Sequence, residues 1–146
     1  MGKYNHVYTR MLTNGECETE VGIEDAPSDG SGPEKASALW ATCESVSMMS
    51  MELVLGLGLR LMPINNPNLS FLRRIAPASA IPVGHVAVYV YLDETPISLD
   101  VLVYNRLIKY PDKDFVLGLD FIAADGREFE IRNNKDCPVL NFFYND

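Results

Sequence analysis

The chain has 146 residues, 47% hydrophobic and 22% charged, which suits one globular domain with a real core and excludes a disordered chain. Its 12 Lys and Arg against 20 Asp and Glu give a formal net charge of -8. That balance argues against a broad duplex DNA or RNA surface, whose affinity comes largely from phosphate neutralisation.

Along the chain, Val7, Tyr8, Met11 and Leu12 make residues 1–12 an opening strand or docking arm, with 1–6 as the arm proper. Asn14-Gly15 signals a turn. After it, residues 16–23 alternate with charged Glu16, Glu18 and Glu20 at even positions, which predicts a strand with one wet face. Residues 24–32 are acidic and rich in Gly and Ser, a loop. Pro33 and Glu34 then suit a first helical turn.

From Glu34 to Val54 the chain is apolar or small on nearly every side, with Glu44 and Glu52 as the only charges beyond its opening Glu34-Lys35. This spacing predicts a long helix, and a helix so apolar must be wrapped by other structure, most simply a curved sheet. Leu55, Leu57, Leu59 and Leu61 alternate with Gly56, Gly58 and Arg60, a strand pattern with one thin face. Asn68–Ile75 reads as a short strand, 85–92 as a longer one, and 97–107 as another strand or two. Residues 115–123 and 127–131 flank Ala124-Asp125-Gly126, a hairpin signal. Leu140, Phe142, Phe143 and Tyr144 make 135–146 an aromatic tail that docks on the body or on a second subunit. No repeat or linker divides the chain, so 1–146 reads as a single domain.

The three cysteines, Cys17, Cys43 and Cys137, are odd in number and lack a CxxC pair. They read as free thiols in a reducing compartment, hence a cytoplasmic expectation. No signal peptide is visible at the N-terminus. Glu44, Glu52 and Arg60 interrupt the apolar stretch at 36–64, which argues against a membrane span. With two histidines and no close cysteine pair, neither a metal site nor a cofactor is expected.

The order of elements is a strand, a long buried helix, then four to six mainly antiparallel strands. Together with Gly30-Ser31-Gly32 before the helix and Asn68-Leu69-Ser70-Phe71-Leu72-Arg73-Arg74, it resembles the hotdog fold of acyl-thioester thioesterases and dehydratases. The fold class expected is thus α+β, a curved antiparallel sheet around a central helix. Other α+β rolls with helices inside a cone-shaped sheet share the pattern. Arg74 stands where that family usually has Pro, and the family's His-Gly-Gly before the helix is replaced by Asp29-Gly30-Ser31-Gly32.

The resemblance implies a dimer or tetramer acting on acyl-CoA or acyl-carrier-protein thioesters. Glu44 takes the role of the helix carboxylate, a partly desolvated general base or nucleophile. Gly32 stands for the backbone donor to the thioester carbonyl, and His85 for a histidine acting with the carboxylate. Arg73 or Arg74 would contact a phosphate of CoA or of a carrier arm. Beside these roles stand plainer ones: Glu44 reaching solvent or pairing with a base, His85 as an ordinary strand residue, and the arginines as surface charge. The competing function is a non-catalytic module that binds a small apolar ligand or a protein and forms an oligomer. Neither reading includes nucleic acid or membrane.

Overall fold

The computed structural model describes residues 10–11, 17–25, 32–41, 43–64, 74, 81–92, 96–123, 128–133 and 138–143. Its elements in chain order are β1 (Arg10–Met11), β2 (Cys17–Asp25), β3 (Glu34–Trp40), β4 (Met48–Ser50), α1 (Met51–Leu57), β5 (Gly84–Tyr91), β6 (Pro96–Tyr104), β7 (Phe115–Leu117), α2 (Leu119–Ile122), β8 (Glu128–Asn133) and β9 (Pro138–Phe143).

Strands β2, β3, β7, β4, β6 and β5 neighbour one another in that order, and β5 returns to pair with β2. The result is a closed six-stranded β-barrel, with β1 added on β2 and β8–β9 forming a separate two-stranded sheet. Closure solves the edge problem that an open sheet of this size would face. The pattern that selects it is alternation. Cys17, Val21 and Ile23 of β2, Val86, Val88 and Val90 of β5, and Leu99, Val101 and Val103 of β6 are buried, while their neighbours are wetter. These residues, with Met49, Phe115, Leu117, Phe121 and Ile122, fill the barrel. A second cluster, Leu39, Ala41, Leu107 and Val116 with Met48, Tyr104 and Tyr110 against it, covers the outside of β3, β7 and β4.

The expected long helix over 34–54 is not there, and with it fall the hotdog resemblance and the α+β class built on it. Residues 34–40 are strand β3, which pairs with β2 from Cys17↔Trp40 to Ile23↔Glu34. Of the rest of that stretch, residues 41 and 43–47 are loop, 48–50 are β4, and only 51–57 are helical. The physical reason is two-sided burial. Ala38, Leu39 and Trp40 are all buried, because the barrel interior takes one face and the outer cluster takes the other. Such a strand loses its period of two and reads like a buried helix.

The strand expected over 55–61 is also overturned. Ser50 caps α1 by accepting the Leu53 N–H at 3.2 Å, and Gly58, left-handed at φ 67, ends it. The expected hairpin of 115–123 with 127–131 is replaced: 115–117 is β7, 119–122 is α2, and β8 pairs with β9 instead. The strands expected at 16–23, 85–92 and 97–107 correspond to β2, β5 and β6. Residues 68–73 and 75 of the expected 68–75 strand, and the 124–126 turn, lie outside the described residues.

Candidate functional site

Strands β3 and β4 lie on opposite sides of β7, β3 parallel to it and β4 antiparallel. The chain leaving Trp40 must therefore cross the C-terminal end of β7 before it re-enters the sheet at Met48. This crossing loop, residues 41–47, is heavily bonded through its described residues, 41 and 43–47.

The Ala41 N–H donates to the Leu117 carbonyl at 2.9 Å, and the Glu44 N–H turns back to the Ala41 carbonyl at 3.2 Å. The first N–H groups of a helix lack partners within it. Here the Leu119 N–H donates to the Glu44 carbonyl at 2.8 Å and the Asp120 N–H to the Ser45 carbonyl at 3.2 Å. The Ser47 N–H donates to Asp120 Oδ2 at 2.9 Å and Ser47 Oγ donates to Oδ1 at 2.6 Å. The same Oγ accepts the Gly118 N–H at 3.0 Å. Gly118 is dictated by this closeness: a Cβ there would sit 2.8 Å from the Glu44 oxygen and from the Val46 carbonyl atoms.

On its outer side the loop meets residues 105–114. Tyr110 Oη donates to Glu44 Oε1 at 3.1 Å, and Lys109 Nζ donates to the same oxygen at 3.2 Å. Cys43 Sγ, on an exposed residue, lies 3.6 Å from Tyr110 Oη. Burial first, then the contacts with Cys43 and Glu44, pushes the Tyr110 phenol well above its ordinary range. The 105–114 segment is itself anchored. Leu107 enters the outer cluster, Lys113 pairs with Glu18 at 3.3 Å, and Ser50 Oγ donates to Asp114 Oδ1 at 2.8 Å. Val46 on the loop and Leu119 beside it remain 40% and 38% exposed, an apolar rim on a well-bonded base.

Of the residues expected at a site, Glu44 is on this loop and not on a helix. Gly32 precedes β3 with φ 87, at the end of that strand away from the loop, so the two are not brought together. His85 is the second residue of β5 and its Nδ1 bonds Asp100 Oδ1 on β6 at 2.7 Å, not Glu44. Arg74 is exposed, and Arg73 lies outside the described residues. The acyl-thioester hydrolase expectation is overturned on this ground. It needed a carboxylate on a long central helix, and α1, the longest helix described, has 7 residues.

Lys109, Tyr110, Gly118 and Asp120 are brought to Glu44 and Ser47 without having been expected at a site. A signal was present: Thr42-Cys43-Glu44-Ser45 is a polar break in an apolar run, and Gly118 closes another run just before an acidic first turn. Among the described residues no three His, Cys, Asp or Glu side chains gather where they could hold a metal ion. No described helix is long and apolar enough to cross a membrane.

No protein-family model matches the chain, and no curated protein matches it. Among solved structures it is similar to the crystal structure of a retropepsin-like aspartic protease from Rickettsia conorii, at a TM-score of 0.57 and 13% identity. The match covers 98% of this chain and 95% of that one, so the two share a fold along essentially their whole length.

Proposed function

We propose that the chain is a polypeptide-binding domain on an aspartic-protease-like fold. In this reading the 41–47 loop is the floor of its site, and the bound chain is held without hydrolysis by an aspartic dyad. The observation that carries the reading is the composition of this rigid loop. Aspartic-protease chemistry uses two Asp carboxyls close enough to share one proton. The loop reads Ala41-Thr42-Cys43-Glu44-Ser45-Val46-Ser47 and contains no aspartate. Its one carboxylate, Glu44, is paired with an ammonium and a phenol. The aspartate bonded to the loop, Asp120, has both oxygens engaged by Ser47.

The binding half of the reading is supported by rigidity and by the apolar rim. A preformed loop loses little conformational entropy on binding, and Val46 on the loop and Leu119 next to it offer exposed apolar contact. Self-association into a homo-oligomer belongs to the same reading, and sedimentation velocity tests it: a single monomer boundary at all concentrations would remove it.

The test of the main reading has two arms. Fluorescence anisotropy of labelled, unstructured decapeptides should show saturable binding that weakens in Val46→Asp and Leu119→Asp. Mass spectrometry of a reduced, alkylated protein incubated with the chain between pH 3 and 8 should show no new termini. Fragments released by the wild type and lost in Glu44→Gln or Asp120→Asn would overturn the non-hydrolytic half; failure of every peptide to bind would overturn the other.

A further inference from the structure

We infer that Glu44 is a specificity-determining residue that selects an arginine side chain of the bound polypeptide, which takes the place Lys109 holds in the free protein. The inference rests on the polypeptide-binding reading and adds the ligand's chemistry to it.

The two members of the ion pair are unequal. The Glu44 side chain is 13% exposed and stands on a loop fixed by bonds to β7 and α2. The Lys109 side chain is 74% exposed. A pair made by such a solvated lysine is weak, because screening and lost side-chain freedom offset the attraction. The carboxylate is thus held in place while its cation is easily exchanged.

The bonds also leave room for a better cation. Tyr110 and Lys109 both donate to Oε1. An ammonium is a point charge, whereas a guanidinium is a planar fork that bonds both oxygens of a carboxylate at once. An arriving arginine therefore gains more at Glu44 than Lys109 loses. Tyr110 keeps its proton, since burial and Glu44 hold its phenol in the neutral form, and so it remains the donor that orients the carboxylate. The formal charge of -8 favours the approach of a basic segment from solution. A neutral or acidic side chain would leave Lys109 where it is.

The experiment uses three labelled decapeptides on one Ala/Val/Ser background that differ only in a central Arg, Lys or Gln. For the wild type the Arg peptide should bind about fivefold tighter than the Gln peptide, with Lys between them. Lys109→Ala should tighten the Arg peptide and leave the Gln peptide unchanged. Glu44→Gln should bring all three to the affinity of the Gln peptide. Equal binding of the three by the wild type, or an Arg preference that survives in Glu44→Gln, overturns this inference and leaves polypeptide binding standing. No binding of any of the three to the wild type or Lys109→Ala overturns both. Should Glu44→Gln fail to fold by circular dichroism, the Lys109→Ala arm decides: a gain confined to the Arg peptide supports the inference, and a uniform gain or none overturns it.

Discussion

Ser47 and Asp120 stand 73 positions apart in the chain and meet through two hydrogen bonds, main-chain N–H to Oδ2 at 2.9 Å and Oγ to Oδ1 at 2.6 Å. Because Ser47 Oγ also accepts from the Gly118 N–H, the pair ties the crossing loop to β7 and α2 at one point. Asp120→Ala strands two donors of Ser47, and should cost about 2–3 kcal/mol. Asp120→Asn keeps an acceptor for the Ser47 N–H and should cost about 1 kcal/mol. Urea unfolding with an unchanged m-value measures both. Equal losses in the two variants would mean that charge, and not the bonds, sets the cost.

The two glycines Gly118 and Gly56 should respond in opposite directions to alanine. At Gly118 the new methyl would lie 2.8 Å from main-chain atoms of Glu44 and Val46, and backbone cannot swing aside as a side-chain tip can. The loop must shift, at about 1–3 kcal/mol or more. At Gly56, inside α1, nothing lies within 4 Å of the added carbon. There alanine should stabilise by about 0.5–1 kcal/mol through helix propensity. Thermal melts of the two variants side by side check the contrast.

How far the fold could be read from the residues depended on whether each strand kept one wet face. Glu18 and Glu20 kept β2 legible, although its last residues Glu24 and Asp25 read as loop, and the valines of β5 and β6 did the same for theirs. At Leu39 and Trp40 both faces are covered, so the alternation that marks a strand vanishes and the small residues around them imitate a thin helix. Phe115, Val116 and Leu117 are all buried too, and there the apolar run was legible as a strand but not its end, because Leu119–Ile122 continue it as a helix. Glu44 was legible as one of two interior carboxylates in an apolar stretch, but its partners were not. Tyr110 and Lys109 reach it from 66 and 65 positions away, and only the barrel's crossing brings them there.

Tyr110 should make the protein sensitive to alkali. Burial, and then the Cys43 and Glu44 contacts, raises its folded pKa, whereas in the unfolded chain it titrates near about 10. The unfolded state then releases the proton first. The stabilising difference is full below pH about 10 and is lost as pH climbs from there toward the folded pKa. Tyr104, raised by burial and by Glu44, acts in the same direction. Tyr110→Phe should therefore show a shallower fall in stability between pH 10 and 11.5 than the wild type, measured by urea unfolding at each pH. A parallel fall in both would assign the alkaline loss elsewhere.

Trp40 reports on the junction of barrel and loop without interference, since it is the only tryptophan in the chain. It ends β3, and its ring lies 5.7 Å from that of Phe121 on α2, tilted by 59°. Phe121 is fully buried, so Phe121→Ala leaves a cavity beside the indole and should cost about 3–5 kcal/mol. It should also alter Trp40 emission in native buffer, before any unfolding. Leu55→Ala is the control: Leu55 is 70% exposed on α1, and its loss should change stability by less than about 0.5 kcal/mol with no change in emission. If Phe121→Ala lowers stability but leaves Trp40 emission untouched, α2 contributes core volume without holding the start of the loop. If both move together, the ring that fills the barrel also fixes the strand end from which the 41–47 loop departs.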